Sequence, residues 1–348
     1  SPWQKVTAAI VITAVVVGGG VWWWQQPDFK PANQSKFAFK LPDKPSIAVL
    51  PFNNMSGDPS KDYLGDGLSE NIIAVLATSP DLFVIARNSS FTYKGKAVKV
   101  QEVAEQLGVR YVLEGSVQQS GEKLRVTAQL VDAVDGKHLW AERYDRKLDD
   151  LFAMQDEITN KIFYEMHVKL TIGERAHDWQ KHFGDPEGMR LHMKGFDRFL
   201  TFTLDGHQDA ERIYGELYKK NPEGGMGNLD IGWIHWQKIV MGLTNDPKQS
   251  IKLGRKFGEK AHAIMGDGGS LTLLAWFDLF EQDFESAIEN ARRATEISPS
   301  DGNTAAIAGT VYRNSGKSEE SAILLKRAMR LQPYHPKWYA WQLGISLL

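Results

Sequence analysis

Residues 6–24, VTAAIVITAVVVGGGVWWW, restrict this chain more than any other stretch. They carry no charge, and the only polar side chains, Thr7 and Thr13, can bond to carbonyls of their own helix. At ~1.5 Å per residue a helix here is about 28 Å long, close to the ~30 Å hydrocarbon core of a bilayer. Trp22, Trp23 and Trp24 sit together at one end, where an aromatic belt meets lipid headgroups. A signal peptide would end on small residues, not on three tryptophans followed by Gln25, Gln26 and Pro27. A buried soluble helix would keep a polar face. The sequence therefore predicts one transmembrane helix over 6–24. Ala14 and Gly18 form a small-xxx-small pair through which two such helices can pack, so a homodimer in the membrane is an expectation. The chain begins at Ser1 rather than Met, and we expect it to be the C-terminal part of something longer, whose preceding residues lie across the membrane from 25–348. Lys5 precedes the span and Lys30, Lys36, Lys40 and Lys44 follow it, a count that by itself favours a cytoplasmic side for residues 25–348.

The remainder has ordinary globular composition. Of 348 residues, 42% are hydrophobic and 24% charged, enough for about two domains beyond the span. A net charge of −2 without a basic block gives no footprint for nucleic acid. The absence of cysteine excludes disulfides, Cys-zinc sites and thiol chemistry.

Pro27, Pro31, Pro42 and Pro45 among polar residues mark 25–43 as a tether. From Ser46 the chain reads as a domain over 44–147. Ile47-Ala48-Val49-Leu50 and Leu82-Phe83-Val84-Ile85-Ala86 are apolar runs expected of strands buried on both faces. Between them Leu68, Ile72 and Leu76 fall at helical spacing; after them Val100, Val103, Ala104 and Leu107 make a second amphipathic helix, closed by Gly108. This β-α-β-α order predicts right-handed crossovers and a parallel start to the sheet. Alternation then takes over at Tyr111, Leu113, Gly115 and Val117, at Leu124, Val126, Ala128 and Leu130, and in a third strand near 138–144, with Ser120-Gly121 and Asp135-Gly136 as turns. Leu151, Met154, Ile158, Ile162, Met166 and Leu170 predict a long connecting helix within 148–185.

Residues 186–348 carry an internal repeat. Ala287, Ala294 and Pro299 recur as Ser321, Ala328 and Pro333, each offset by 34 residues, the period of a tetratricopeptide repeat. Gly309 and Tyr312 fit its first helix; Ala210 to Pro222 is a looser copy, and Ala261 is the best match in a degenerate stretch between. Three or four helix pairs stacked into an all-α solenoid are expected, with 338–348 as the first helix of another pair.

The stretch PSIAVLPFNNMSGDPSKDYLGDGLSENI at 45–72, continued in order by 82–159, resembles the TolB amino-terminal-like domain over about residues 42–165. The resemblance implies a fold of one transmembrane helix, an α/β TolB amino-terminal-like domain and a tetratricopeptide-repeat solenoid. That architecture is similar to the C-terminal half of membrane-bound class III adenylate/guanylate cyclases and, as an alternative, to CadC-like membrane-bound winged-helix regulators. It implies an N-terminal cytoplasmic output domain before residue 1 and a periplasmic placement of 25–348 at the bacterial inner membrane, against the lysine count. The expected role is a non-catalytic sensory and protein-interaction region, with an envelope scaffold as a third reading.

Two candidate sites follow. In crossover sheets ligands collect beyond the carboxyl ends of the parallel strands. Those ends lead into Asn53, Asn54, Ser56 and Asp58 and into Arg87, Asn88, Ser89 and Ser90, expected to converge on a polar crevice with one cation. The repeats offer a concave face for a protein or peptide partner, with Trp233, Trp236, Trp276 and Phe277 as candidate anchors. Other patterns read as structure. Ser315-Gly316-Lys317-Ser318 lacks the phosphate-loop glycine, since Val311 stands in its place, and reads as a repeat turn. His167, His177, His182 and His192 are not at zinc-ligand spacing and read as scattered surface residues. Asn88-Ser89-Ser90 is a chance sequon, and Asp145, Asp149, Asp150, Asp156 and Glu157 a solvated face. No catalytic residue, metal or cofactor is expected.

Overall fold

A computed structural model describes residues 31–166 and 182–348. The expected span over 6–24, its Ala14/Gly18 pair, residues 25–30 of the tether, His167, His177 and Leu170 lie outside the described residues. The rest of the expected tether, 31–43, is bonded to the domain that follows: the Ala32 N–H donates to the Ala133 carbonyl at 2.7 Å and the Ala38 N–H to the Glu105 carbonyl at 2.8 Å. Among the described residues no helix is long and apolar enough to cross a membrane.

The run at 47–49 becomes the centre of a mixed sheet because every side chain in it is excluded from water on both faces. Strand β1 (Ser46–Val49) pairs in parallel with β3 (Phe83–Val84) on one side and with β4 (Tyr111–Ser120) on the other. Strands β4, β5 (Lys123–Asp132) and β6 (Lys137–Lys147) form an antiparallel meander, giving the order β3-β1-β4-β5-β6. Pro51 cannot donate to the ladder, so the chain leaves the sheet there and returns as β2 (Asn53–Asn54), which pairs in parallel with Ser116 and Val117 of β4. Asn53 and Asn54, expected in an open loop, thus belong to the sheet.

Helix α1 (Asp62–Ala77) lays Leu64, Leu68, Ile72 and Leu76, all fully buried, on one face of this sheet. Burying four such side chains contributes roughly 1.5–3 kcal/mol each before the entropy of ordering them is charged. Helix α2 (Val100–Leu107) covers the opposite face with Val100, Val103, Ala104 and Leu107 and ends at Gly108, whose φ of 64° supplies the left-handed cap. Gly115 is required because a Cβ there would collide with the Thr127 carbonyl and the Phe52 ring.

Helix α3 (Leu151–Glu165) was expected to connect two regions. Instead Leu151, Met154, Ile158 and Ile162 are buried in the core that holds Leu124, Val126 and Tyr144 of the sheet, and Gln155 accepts a buried 3.0 Å bond from Asn71 of α1. The physical edge of the sheet layer therefore falls after this helix, not at residue 147.

Residues 186–348 are helical. Helices α4 (Pro186–Phe199), α5 (Leu204–Lys220), α6 (Gly225–Val240), α7 (Pro247–Met265), α8 (Gly268–Phe280), α9 (Phe284–Ile297), α10 (Gly302–Asn314), α11 (Ser318–Leu331) and α12 (Lys337–Ser346) follow one another through short loops. Most begin at a capping side chain: Asp185, Thr203, Asp246, Asp267, Asp283 and Asp301 each accept a backbone N–H of the first turn. Helices α8 and α10 start 34 residues apart, as do α9 and α11, so the sequence offset is a spatial repeat. Small residues sit where the helices cross: Ala287, Ala294, Ser321 and Ala328 are fully buried, and a Cβ on Gly254 would collide with the ring of Phe277. Gly316, with φ 78°, makes the turn between α10 and α11 in which the Gly-Lys-Ser triplet lies.

The helical array lands on the sheet layer at both ends. Met189 and Met193 of α4 join the core formed with α1. At the far end the Ala86 N–H donates to the Leu331 carbonyl at 2.9 Å, the Ser300 hydroxyl to the Leu82 carbonyl at 2.6 Å, and the Tyr334 N–H to Ser89 Oγ at 2.9 Å.

Candidate functional site

The arc of helices encloses a groove of 720 Å³. Its floor is aromatic. Trp233 and Trp236, three residues apart on α6, meet edge to face at 5.3 Å, and Trp236 lies 5.6 Å from Trp276 of α8. The structure thus brings the three candidate tryptophans together, each half-buried and lining the groove. Phe277 is fully buried behind them and packs on Gly254, so it supports the wall without facing the groove.

Residues that sequence reasoning missed complete it. Phe202, 49% exposed, stands at the lip with its ring edge-on to Trp236 at 6.2 Å. Its φ of 49° is a conformation bulky side chains rarely adopt, and strain of this kind gathers at binding sites. Trp338 of α12 closes the far side. Neither carried a sequence signal, because their proximity to Trp236 depends on the curvature of the whole array.

Among the described residues that line the groove there is no Lys or Arg, and the acids are engaged. Asp230 Oδ2 lies 2.8 Å from His192 Nδ1, both buried. His192 is therefore no surface residue: it stacks near Phe196 and Tyr214, and only Asp230 on the neighbouring helix makes its burial tolerable. Burial opposes charge on the imidazole, but the field and hydrogen bond of Asp230 prevail and hold its pKa above the ordinary value. Asp301 caps α10 through Asn303 N at 2.8 Å and Thr304 Oγ1 at 2.9 Å; burial pushes its pKa up. Trp236 Nε1 and Gln342 Oε1, by contrast, are buried without a hydrogen-bond partner among the described residues.

The expected crevice is arranged differently. Asn54 Nδ2 donates to the Asp58 carbonyl and to Asp62 Oδ1, both at 2.8 Å; Ser56 Oγ accepts from Gln119 N at 2.8 Å; Asp58 accepts from Ser60 N and Oγ, bonds that hold its carboxyl below the usual range. Arg87 Nε donates to Glu70 Oε2 at 2.6 Å, and its guanidinium lies over Phe91 at 4.2 Å. The first group meets α1 at Asp62 and the second at Glu70, about 12 Å further along the helix. Among the described residues no hydrogen bond or ion pair joins Asn53, Asn54, Ser56 or Asp58 to Arg87, Asn88, Ser89 or Ser90. The second group instead forms a helical turn against the helical array: Ser89 accepts from Tyr334, Ser90 is fully buried, and Asn88 together with Glu70 lines the aromatic groove.

Residues 43–161 match the HilA/YgeH-like transcriptional regulator, second domain. The match ends inside α3, in keeping with the packing of that helix on the sheet. A curated relative, "Putative adenylate cyclase 3" of Rhizobium meliloti (strain 1021), is 48% identical over 183 residues. That is 53% of this chain and 31% of the relative, so the chain spans about a third of the relative's length. Among solved structures, TolB from Acinetobacter baumannii is 19% identical with a TM-score of 0.27, over 37% of this chain and 30% of that one. Lipoprotein GNA1162 from Neisseria meningitidis is 22% identical with a TM-score of 0.26, over 36% of this chain and 99% of that one. At these scores the two structures carry no argument.

Proposed function

We propose that this chain is the non-catalytic sensing and partner-binding region of a membrane-bound signalling protein. A TolB amino-terminal-like layer and tetratricopeptide-like helix pairs lie outside the cytoplasmic membrane, and the span over 6–24 carries their state to an output segment. The observation that carries the reading is the aromatic groove walled jointly by the helical array and, through Glu70 and Asn88, by the sheet layer. A peptide bound there touches both parts at once, so its binding energy can bias how they sit together. The output favoured is adenylate or guanylate cyclisation, supported by the 48% identity to a named cyclase. The match of 43–161 to a transcriptional-regulator domain supports a second reading, in which the same region controls a DNA-binding segment.

Peptide display on the purified chain, counter-screened on Trp236→Ala/Trp276→Ala, tests the binding role. Selected peptides are expected to share apolar or aromatic residues and to bind the variant at least about tenfold more weakly, the cost of two aromatic anchors. Equal binding to the variant sinks the reading. The coding sequence upstream of Ser1, together with cyclic nucleotide levels in cells expressing the parent, separates the two outputs. A reporter fusion active only when exported checks the side of the membrane.

A further inference from the structure

Strand β6 (Lys137–Lys147) is eleven residues long and ends the sheet. On one side it pairs with β5, with a bulge at Leu139; among the described residues, 139–147 make no backbone hydrogen bond on the other side. Helix α3 covers one face of the strand through Tyr144 and Trp140, and its Glu157 pairs with Arg146 of the strand at 3.4 Å. An edge of this length is a template for another strand unless charged side chains, Pro, a bulge or a covering element blunt it.

The charges of β6 follow another rule. Glu142, Arg143, Asp145 and Arg146 flank Tyr144 so that every acid has a base at its mirror position: Arg143 mirrors Asp145, and Glu142 mirrors Arg146. An antiparallel copy related by a two-fold axis through Tyr144 sets Arg143 opposite the second copy's Asp145 and Glu142 opposite the second copy's Arg146. The pairs occupy opposite faces of the sheet, since successive side chains alternate. Within one chain Arg143 Nε already lies 3.1 Å from Asp145 Oδ2. Across the axis Arg143 and Asp145 would meet their opposites both along the strand and across to the next, while Glu142, which accepts from Trp140 and Tyr144, and Arg146, which pairs with Glu157, would meet only across the axis and Lys147 would face Ala141. A one-residue slip in either direction destroys the match: the symmetric register centred between 143 and 144 opposes Arg143 with Tyr144 and Glu142 with Asp145.

We infer that β6 is a self-pairing edge whose partner is a second copy of this chain, joined in antiparallel register about Tyr144 into one continuous sheet. The two-fold axis stands perpendicular to the sheet, so α3 of both copies lies on the same face. The inference is independent of what the groove binds and of whether the expected span pairs.

The chain has no cysteine, so an introduced one reports alone. Arg143 and Asp145 have side chains 61% and 49% exposed, and Asp145 also pairs with Arg125 at 2.6 Å. In the inferred register their Cβ atoms face each other at about 4.5–5.5 Å, whereas equal positions on the two copies are diagonal. Full-length Arg143→Cys and Asp145→Cys chains carrying different tags, mixed and oxidised, are expected to yield the mixed disulfide several-fold above either chain alone. In sedimentation, Arg143→Glu is expected to weaken association about tenfold. A mixed disulfide no more abundant than the lone-chain products overturns the inference, as does a dimer that Arg143→Glu leaves unchanged. The disulfide result stands even if a charge variant unfolds.

Discussion

His235 shows how a single side chain sets the conditions under which this molecule is stable. Its ring stacks on Phe257 at 6.1 Å and its Nδ1 is buried without a hydrogen-bond partner among the described residues. Burial, helped by the charge of Lys238, holds its pKa down at about 4 against an ordinary 6.5. The unfolded chain therefore takes up a proton that the folded chain refuses, and stability present above pH 6.5 is lost as the pH falls toward 4. A shift of this size is worth about 3 kcal/mol for a ring sealed from water; this one is partly open, so roughly half is expected. The difference in melting temperature between the protein and His235→Phe should change across pH 6.5 to 4.5 in favour of the variant; a constant difference would contradict the assignment. His192 makes the complementary point about legibility. Its spacing from other histidines says nothing of Asp230, 38 residues away, and only the partner distinguishes a buried imidazole from a surface one.

At the scale of elements, what the sequence made readable is what periodicity encodes. Leu124, Val126, Ala128 and Leu130 alternate because one face of β5 is dry, and Val100, Val103, Ala104 and Leu107 recur at helical spacing because α2 has one buried side. The short elements were not readable: β2 and the turn Arg87–Ser90 owe their form to pairing with β4 and docking on Tyr334, contacts far off in sequence. For the same reason the groove tryptophans could be named in advance while the crevice could not be assembled. Arg330 of α11 is a second feature of this kind. Its guanidinium donates to the carbonyls of Leu107, Gly108 and Lys40 at 3.2, 2.9 and 3.2 Å and lies over Phe39 and Phe83; burial lowers its pKa to about 10. One forked cation thus ties the helical array to α2 and to the segment before β1. Arg330→Ala should cost about 2–4 kcal/mol, and Arg330→Lys should recover only part, since one ammonium cannot match the fork. Denaturant unfolding measures both; full rescue by lysine would show that charge alone matters.

At the scale of the molecule, the sheet layer and the helical array share a core at α4 and hydrogen bonds at Ser300, Leu331 and Tyr334. Residues 31–348 should consequently unfold in one cooperative calorimetric transition, with Arg330→Ala lowering it as a whole. Two separated transitions would mean that the joint is weaker than its contacts imply.

Open solenoids lengthen and shorten freely in evolution, because each unit touches only its neighbours. This arch has abutments. A spare hairpin inserted between α5 and α10 would swing Ser300 and Tyr334 off their landing places on the sheet and spread the tryptophan floor. The number of helices between the two footings is therefore a fixed dimension of the molecule, and the groove can be varied by exchanging side chains but not by adding units.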